Sequence, residues 1–267
     1  MVGAISPGIR NLNQATLGLN KLNEKLGSGK RINRASDDAA GLSIANSLVA
    51  TTRISSQARR NISDANSRVE IADGALSQLS DIGSRLSELA AQSANGTIND
   101  QQRVALQGEF QALAAEAERI VATTSFNGEN VLTSSGISIQ AGIDASSNSQ
   151  IEIGSSEART LAESLNSSYN VSSQESAKTA LEGLSSFISS VSSERGALGA
   201  VTNRLKTASS NLSTAEEAQN AARSRIEDFD VAMGIAERAA LNIRQQAGVA
   251  ITAQGNQSQK TVLQLLQ

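Results

Sequence analysis

The chain contains no cysteine, no histidine and no tryptophan. Without cysteine there is no disulfide and no thiolate nucleophile. Without histidine the usual imidazole acid–base group is missing, and zinc sites built from these two ligands are excluded. Aromatic residues amount to 2%, one Tyr and four Phe in 267 residues. Such side chains dominate ordinary core energetics, so their scarcity argues against a thick globular centre and for thin helical bundles of Leu, Ile, Val and Ala. The only proline is Pro7, so no later helix is interrupted by a missing N–H. No apolar run approaches the roughly 20 residues needed to cross a bilayer. Residues 1–20 lack the charged start and unbroken apolar segment of a cleaved signal. The net charge is only −3, and Lys and Arg are scattered, leaving no basic patch for nucleic acid.

What is present is helical periodicity. Ser6-Pro7-Gly8 opens a first helix, with Ser6 as its cap and Pro7 at the first helical position. Ile5, Leu12, Leu19 and Leu26 then follow at intervals of seven, a narrow seam for another helix. The Asn, Gln and Thr between them make that seam weak. At Leu26–Ile44 the chain bends through Gly27 and Gly29, passes three cations (Lys30, Arg31, Arg34), and reaches Ser36-Asp37-Asp38. Ser36 or one of the aspartates suits a helix N-cap.

A long helix is expected from Asp37 to about Ser93, roughly 80 Å in length. Ile62, Val69 and Leu76 mark one heptad position, and Ala65, Ala72, Leu79 and Leu86 the other. Gly74 and Gly83 read as points of curvature or close packing. Asn95-Gly96 is a turn, and Asn99 or Asp100 caps a further helix running to about Thr124. Asn127-Gly128 is a strong turn signal. Ile137, Ile139 and Ala141 alternate, as do Ile151 and Ile153, which predicts a short β-hairpin. Ser155–Ser176 reads as polar and irregular, with a helical turn near Arg159–Leu165. A second long helix starts near Ser176, with Leu184, Val191, Leu198, Leu205 and Leu212 each seven apart. The pattern reaches Phe229 and then softens into Ala, Met and Gln as far as Gln267.

The expected fold is mainly α: an elongated antiparallel helical bundle or coiled coil with a small β-hairpin, forming a discontinuous two-domain rod. Both terminal segments are weak amphipathic helices that need neighbours to become ordered. An elongated unit with adhesive ends suits non-closing contacts between copies, which generate helical filaments. Asp37-Asp38, Glu216-Glu217 and Glu227-Asp228 with Asp230 read as helix starts and solvated faces, not as metal ligands. Gly27-Ser28-Gly29 does not make a phosphate loop, because Ile32 stands where a third glycine belongs. No cofactor, metal or catalytic activity is expected.

Several strings carry a family resemblance. SGKRINRASDDAAGLSIA (Ser28–Ala45), QSANG (Gln92–Gly96) and SFNG (Ser125–Gly128) resemble the N-terminal signature of bacterial flagellins. SRIEDFD (Ser224–Asp230), QQAG (Gln245–Gly248), AQGNQ (Ala253–Gln257) and VLQLL (Val262–Leu266) resemble their C-terminal signature. Ile5-Ser6-Pro7-Gly8 departs from the Ile-Asn-Thr-Asn common there. The resemblance implies an inner coiled-coil domain made of 1–42 and 228–267. It implies an outer helical domain, 43–227, with a hairpin near 136–154 and without the variable outer domains of longer members.

By the same resemblance the protein is secreted and forms the extracellular flagellar filament. Its partners are then further copies of itself, hook-associated and cap proteins, and an export chaperone at the C-terminal helix. Ile5, Leu12, Leu19, Leu26, Phe229, Ile243 and Leu265 are the expected assembly seams. A hook–filament junction protein, which shares the terminal helices, is the alternative. SRLSELAAQSAN (Ser84–Asn95) resembles the segment read by the animal Toll-like receptor for flagellin. That match assigns receptor contact to Arg85 and Leu89 on one exposed stripe, with Glu109 on the next helix. The same positions also admit a plainer role, Arg85 solvating the rod and Leu89 packing against a neighbouring subunit.

Overall fold

The computed structural model describes residues 5–132 and 135–265; the side chains of 5–8, 259, 262, 263 and 265 lie outside that description. Six helices carry the chain: α1 (Ile5–Ser28), α2 (Ala39–Ala94), α3 (Asp100–Thr123), α4 (Ala158–Ser167), α5 (Gln174–Glu227) and α6 (Val231–Leu265). Two small antiparallel pairs join them, β1 (Ser125–Phe126) with β2 (Glu129–Asn130), and β3 (Ile137–Gln140) with β4 (Gln150–Ile153). The chain forms two compact units, one of Met1–Thr52 with Glu217–Gln267, the other of Arg53–Glu216.

In the Arg53–Glu216 unit the packing follows a strict heptad. On α2, Ser55, Ala58, Ile62, Ala65, Val69, Ala72, Leu76, Leu79, Gly83, Leu86, Ala90 and Ser93 are all buried, separated alternately by three and four residues. A repeat of 3.5 sustained this long keeps one face against a partner and imposes a left-handed supercoil. The partner is α5, whose Ala177, Ala180, Leu184, Phe187, Val191 and Leu205 are buried on the same spacing. The helices run antiparallel, tied by Arg195 to Asp73 at 2.8 Å and Arg59 to Glu216 at 3.1 Å. Small residues set the approach. A Cβ on Gly83 would stand 2.9 Å from the Phe187 ring, so this glycine marks close packing, whereas Gly74 faces open space.

Two apolar clusters result. One joins Leu76–Ala90 of α2 to Phe110, Ala114, Ala117 and Val121 of α3, to Ala158, Ala162 and Leu165 of α4, and to the start of α5. The other joins Ile62, Ala65, Val69 and Leu205 to Ala141, Ile151 and Ile153. Strand alternation explains the second: β4 buries Ile151 and Ile153 and exposes Gln150 and Glu152. Its register pairs Ile139 with Ile151 and Ile137 with Ile153, so one hairpin face lies on the α2–α5 seam.

Two local expectations are corrected, and a third is refined. Ser6 is not the cap of the first helix, which already includes Ile5; Pro7 is accommodated because the first four N–H groups of a helix have no internal acceptor. Ser155–Ser176 holds a ten-residue helix, α4, and not a single turn. Its small Ala158 and Ala162 supply the i, i+4 stripe with Leu165, a weak signal in polar sequence. The Asn127-Gly128 turn is itself a hairpin. Both residues have positive φ, 52° and 81°, the geometry of the tight two-residue turn that Asn-Gly favours.

Polar groups terminate the helices. Asp38 accepts from the Gly41 N–H at 2.8 Å and starts α2. Asn99 and Gln102 form a reciprocal capping box at α3. At the far end of α2 the buried Arg103 donates from Nε to the Ser93 carbonyl and from Nη2 to the Asn95 carbonyl, both at 3.0 Å. Arg103→Leu would leave these end-of-helix carbonyls without their donors. A loss of about 1–3 kcal/mol in unfolding free energy is expected by chemical denaturation.

Candidate assembly surface

In the terminal unit α1 and α6 lie against each other. A Cβ on Gly18 would stand 3.3 Å from Leu241 Cδ1, and one on Gly248 3.6 Å from Leu12. Gln245 Nε2 donates to Thr16 Oγ1 at 3.3 Å. At the inner end, a Cβ on Gly234 would meet the Phe229 ring at 2.3 Å and Leu26 Cδ2 at 3.1 Å. These contacts set an antiparallel pair.

The two joints of this unit are zipped together. Lys30 and Asp228 form an antiparallel bridge. The Arg31 N–H donates to the Glu227 carbonyl at 2.6 Å, and the Phe229 N–H to the Gly29 carbonyl at 3.0 Å. Arg31 Nη2 donates to the Ile226 carbonyl at 2.8 Å, a cation at the negative end of α5. Gly29, at φ +70°, supplies the left-handed residue that ends α1. Asp37 Oδ2 accepts the N–H groups of Asn33 and Arg34. These two bonds hold its carboxyl below the usual range. The KRINRASDD string therefore builds a rigid corner.

Of the expected seam residues, Leu19 is buried and Leu12 and Leu26 half-buried, and Leu12 and Leu26 meet α6 of the same chain. Phe229 is half-buried at the joint, with the Lys25 ammonium 6.0 Å from its ring centroid. Ile243 stands in solvent at 67% exposure. The side chains of Ile5 and Leu265 lie outside the described residues.

Sequence periodicity missed how little α6 buries. Gly234 is its only buried residue among the described ones. Val231, Met233, Ile235, Ile243, Val249 and Ile251 are all exposed. At about 100° per residue, Val231, Ile235 and Val249 share one side, while Met233 and Ile251 lie about 160° or more around. Ile243 falls between them, and Leu241 and Gly248 face α1. Apolar side chains thus stand on several sides of α6, interleaved with exposed polar ones such as Arg238, Asn242 and Arg244. Ile9 and Leu17 of α1 are exposed as well. A soluble monomer does not ordinarily present so much apolar surface.

The other expected site lies on α2 and α3. Arg85 bridges them, with Nη1 2.9 Å from Glu88 and Nη2 2.6 Å from Glu109. The hydrogen bonds Arg85 donates to Glu109 and then to Glu88 raise the pKa of a group that is already always charged. Leu89 is not on an exposed stripe with it: it is 1% exposed and belongs to the larger apolar cluster. The cause is that α2 packs on more than one neighbour here. Leu89 widens the two-position seam of Leu86, Ala90 and Ser93 into a broader buried face.

Among the described residues no group of three or more acidic side chains could hold a metal ion. No described helix is long and apolar enough to cross a membrane.

Comparison with known proteins places these features in context. Residues 7–137 match the bacterial flagellin N-terminal helical region, and residues 181–266 match the bacterial flagellin C-terminal helical region. A flagellin of Halalkalibacterium halodurans is 40% identical over 257 residues, covering 96% of this chain and 93% of its own. A flagellar filament 30.7 kDa core protein of Treponema maltophilum is 36% identical, covering 91% and 90%. The crystal structure of Bacillus cereus flagellin aligns with a TM-score of 0.52 at 28% identity, over 57% of this chain and 88% of that one. A putative flagellar hook-associated protein of Vibrio parahaemolyticus aligns with a TM-score of 0.59 at 12% identity, over 72% of this chain and all of that one. This last likeness is one of fold.

Proposed function

The chain belongs to the bacterial flagellins and is a structural subunit of the flagellar filament, and from that premise we propose that α6, with the outward residues of α1, is the surface through which copies join. The observation that carries this is the set of exposed apolar side chains on α6, Val231, Met233, Ile235, Ile243, Val249 and Ile251, on the sides that α1 does not cover. Burying them against neighbouring copies contributes about 25 cal/mol per Å² of apolar area removed from water. Contacts repeated head to tail extend into a filament where their rotation does not close into a ring. Phe229 and the zipped joint set the direction in which α6 leaves α5. The inner part of the molecule is then 1–42 with 228–267, and the outer part 43–227.

Labelling tests the surface. The chain has no cysteine, so Ile243→Cys and Ile251→Cys each introduce a single thiol. In the monomer both react rapidly with a maleimide; in the filament the rate falls at least about tenfold, as burial of that face requires. Equal rates in monomer and filament would place the joining surface elsewhere.

Export and partners follow from the same face. A chain without disulfides can be threaded unfolded, which fits secretion through the flagellar export apparatus. Before assembly α6 needs a cover, and an export chaperone binding there supplies one. Hook-associated and cap proteins would meet the same terminal helices at the two ends of the filament. The exposed Arg85–Glu109 bridge between α2 and α3 is the part of that region able to contact a Toll-like receptor. Leu89 acts there through the fold.

A further inference from the structure

Two opposite charges on α6 have no counterpart on the paired terminal helices. Glu237 is the sole acidic residue of α6. The one acid of α1, Glu24, is already bound to Arg34 at 2.9 Å. Arg244 stands seven residues on from Glu237, about 10 Å along the helix, too far for the two to pair in one chain. Both are exposed, and among the described residues neither is held by an ion pair or a side-chain hydrogen bond.

Their surroundings differ. Arg244 is the one charged group lining an open groove of about 470 Å³ between α1 and α6, whose walls include Leu12, Ala15, Leu241, Ala247 and Ile251. Glu237 stands one turn from Met233, which is 64% exposed. Residues four apart on a helix are surface neighbours, so α6 presents an apolar side chain beside a carboxylate. An apolar groove with a single cation accepts that combination. At about 100° per residue, Met233, Glu237, Arg244 and Ile251 fall within about 40° of one another. Knob and groove therefore lie on the same side of the helix, one after the other along it.

We propose that in the filament Glu237 of one copy pairs with Arg244 of the next, with Met233 entering that neighbour's α1–α6 groove. The proposal rests on α6 being the joining surface and names a contact within it. A charge taken out of water without a partner is strongly destabilising, and a well-placed counter-ion offsets the cost. Neither α1 nor α6 holds another unpaired acid for Arg244, so the adjoining copy supplies Glu237. Each copy gives its carboxylate to one neighbour and its groove to another, a heterologous contact that extends where its rotation does not close. Opposed charges also fix the register between copies, which apolar contact sets only loosely.

Charge reversal in the full chain tests the pair. Glu237→Arg and Arg244→Glu each set like charges against one another. Each is expected to raise the critical concentration for filament growth about a hundredfold or more. The double variant, Glu237→Arg with Arg244→Glu, restores the opposition in reverse and should grow within about tenfold of the unaltered chain. Glu237→Arg with Arg238→Glu conserves the same net charge but turns the new acid about 100° away, and should not be restored. All the monomers should keep the unaltered melting temperature, because these positions are exposed. Single variants that grow normally would overturn the pairing, as would a double variant no better than the singles, or equal recovery with Arg238→Glu. Maleimide protection of Ile243→Cys is read in parallel. Protection retained while recovery fails removes the pair and leaves the joining surface; protection lost removes both.

Discussion

Removing Val231–Gln267 should abolish polymerisation on filament seeds, while the Arg53–Glu216 unit remains folded and melts near its original temperature. That unit's two apolar clusters contain no residue of α6, so nothing in them is exposed by the truncation. Helical signal should fall in proportion to the residues removed, with a further loss from α1. The first helix buries Ala15, Leu19 and Leu22, and the deleted helix is the one that its Leu12, Gly18 and Leu26 meet. A finer version leaves the helix in place. Ile243→Glu alters a side chain that is 67% exposed in the single chain, so the monomer's melting temperature should move little, as for surface substitutions generally. In an assembled neighbourhood the same change forfeits about 1.5–3 kcal/mol of burial per subunit and leaves a carboxylate out of water without a partner. Each 1.4 kcal/mol raises the critical concentration about tenfold, so growth measured by sedimentation and negative-stain microscopy should drop to background. Filaments of normal yield from either variant would be incompatible with α6 as the joining surface.

Leu89→Ala should lower the melting temperature by on the order of 10 °C, and Arg85→Ala by about 2 °C or less. The leucine is buried in the cluster that joins α2 to α3, α4 and α5, and truncating such a residue leaves a cavity as well as losing transfer energy, about 2–5 kcal/mol together. Arg85 holds Glu88 and Glu109 in ion pairs exposed to water, where such pairs contribute little. The two substitutions therefore separate recognition from folding. Receptor signalling lost in Arg85→Ala at unchanged stability marks a contact at the guanidinium. Loss in Leu89→Ala alone, tracking the melting temperature and restored by cooling, marks a structural role. If Leu89→Ala melted like the unaltered chain, its burial in this cluster would be refuted.

Much of this was legible in the residues because heptad spacing is a direct statement about packing. The run from Ile62 to Leu86 on α2 and the sevens from Leu184 to Leu212 on α5 each name a buried face, and a strict 3.5 repeat leaves little freedom over what lies against it. Asn99 stood as one of two candidate caps for α3, and Asn127-Gly128 as a turn, since these depend on contacts a few residues away. The terminal signatures sufficed for the family. The short helix α4 was harder to see because alanine is small: its stripe of Ala158, Ala162 and Leu165 counts only once three other helices crowd around it.

Other features depend on distance in space and left no trace in local pattern. Leu89 looks like an outward neighbour of Arg85 along the chain, yet it is buried because a second helix packs on that side of α2. The bareness of α6 is likewise a tertiary fact, since periodicity says which residues are apolar and only the arrangement of helices says which of them are left uncovered. Local spacing determined the helices and their seams, because a helix buries whichever stripe its sequence repeats. The long-range contacts decided which stripes were satisfied within one chain and which were left for another copy.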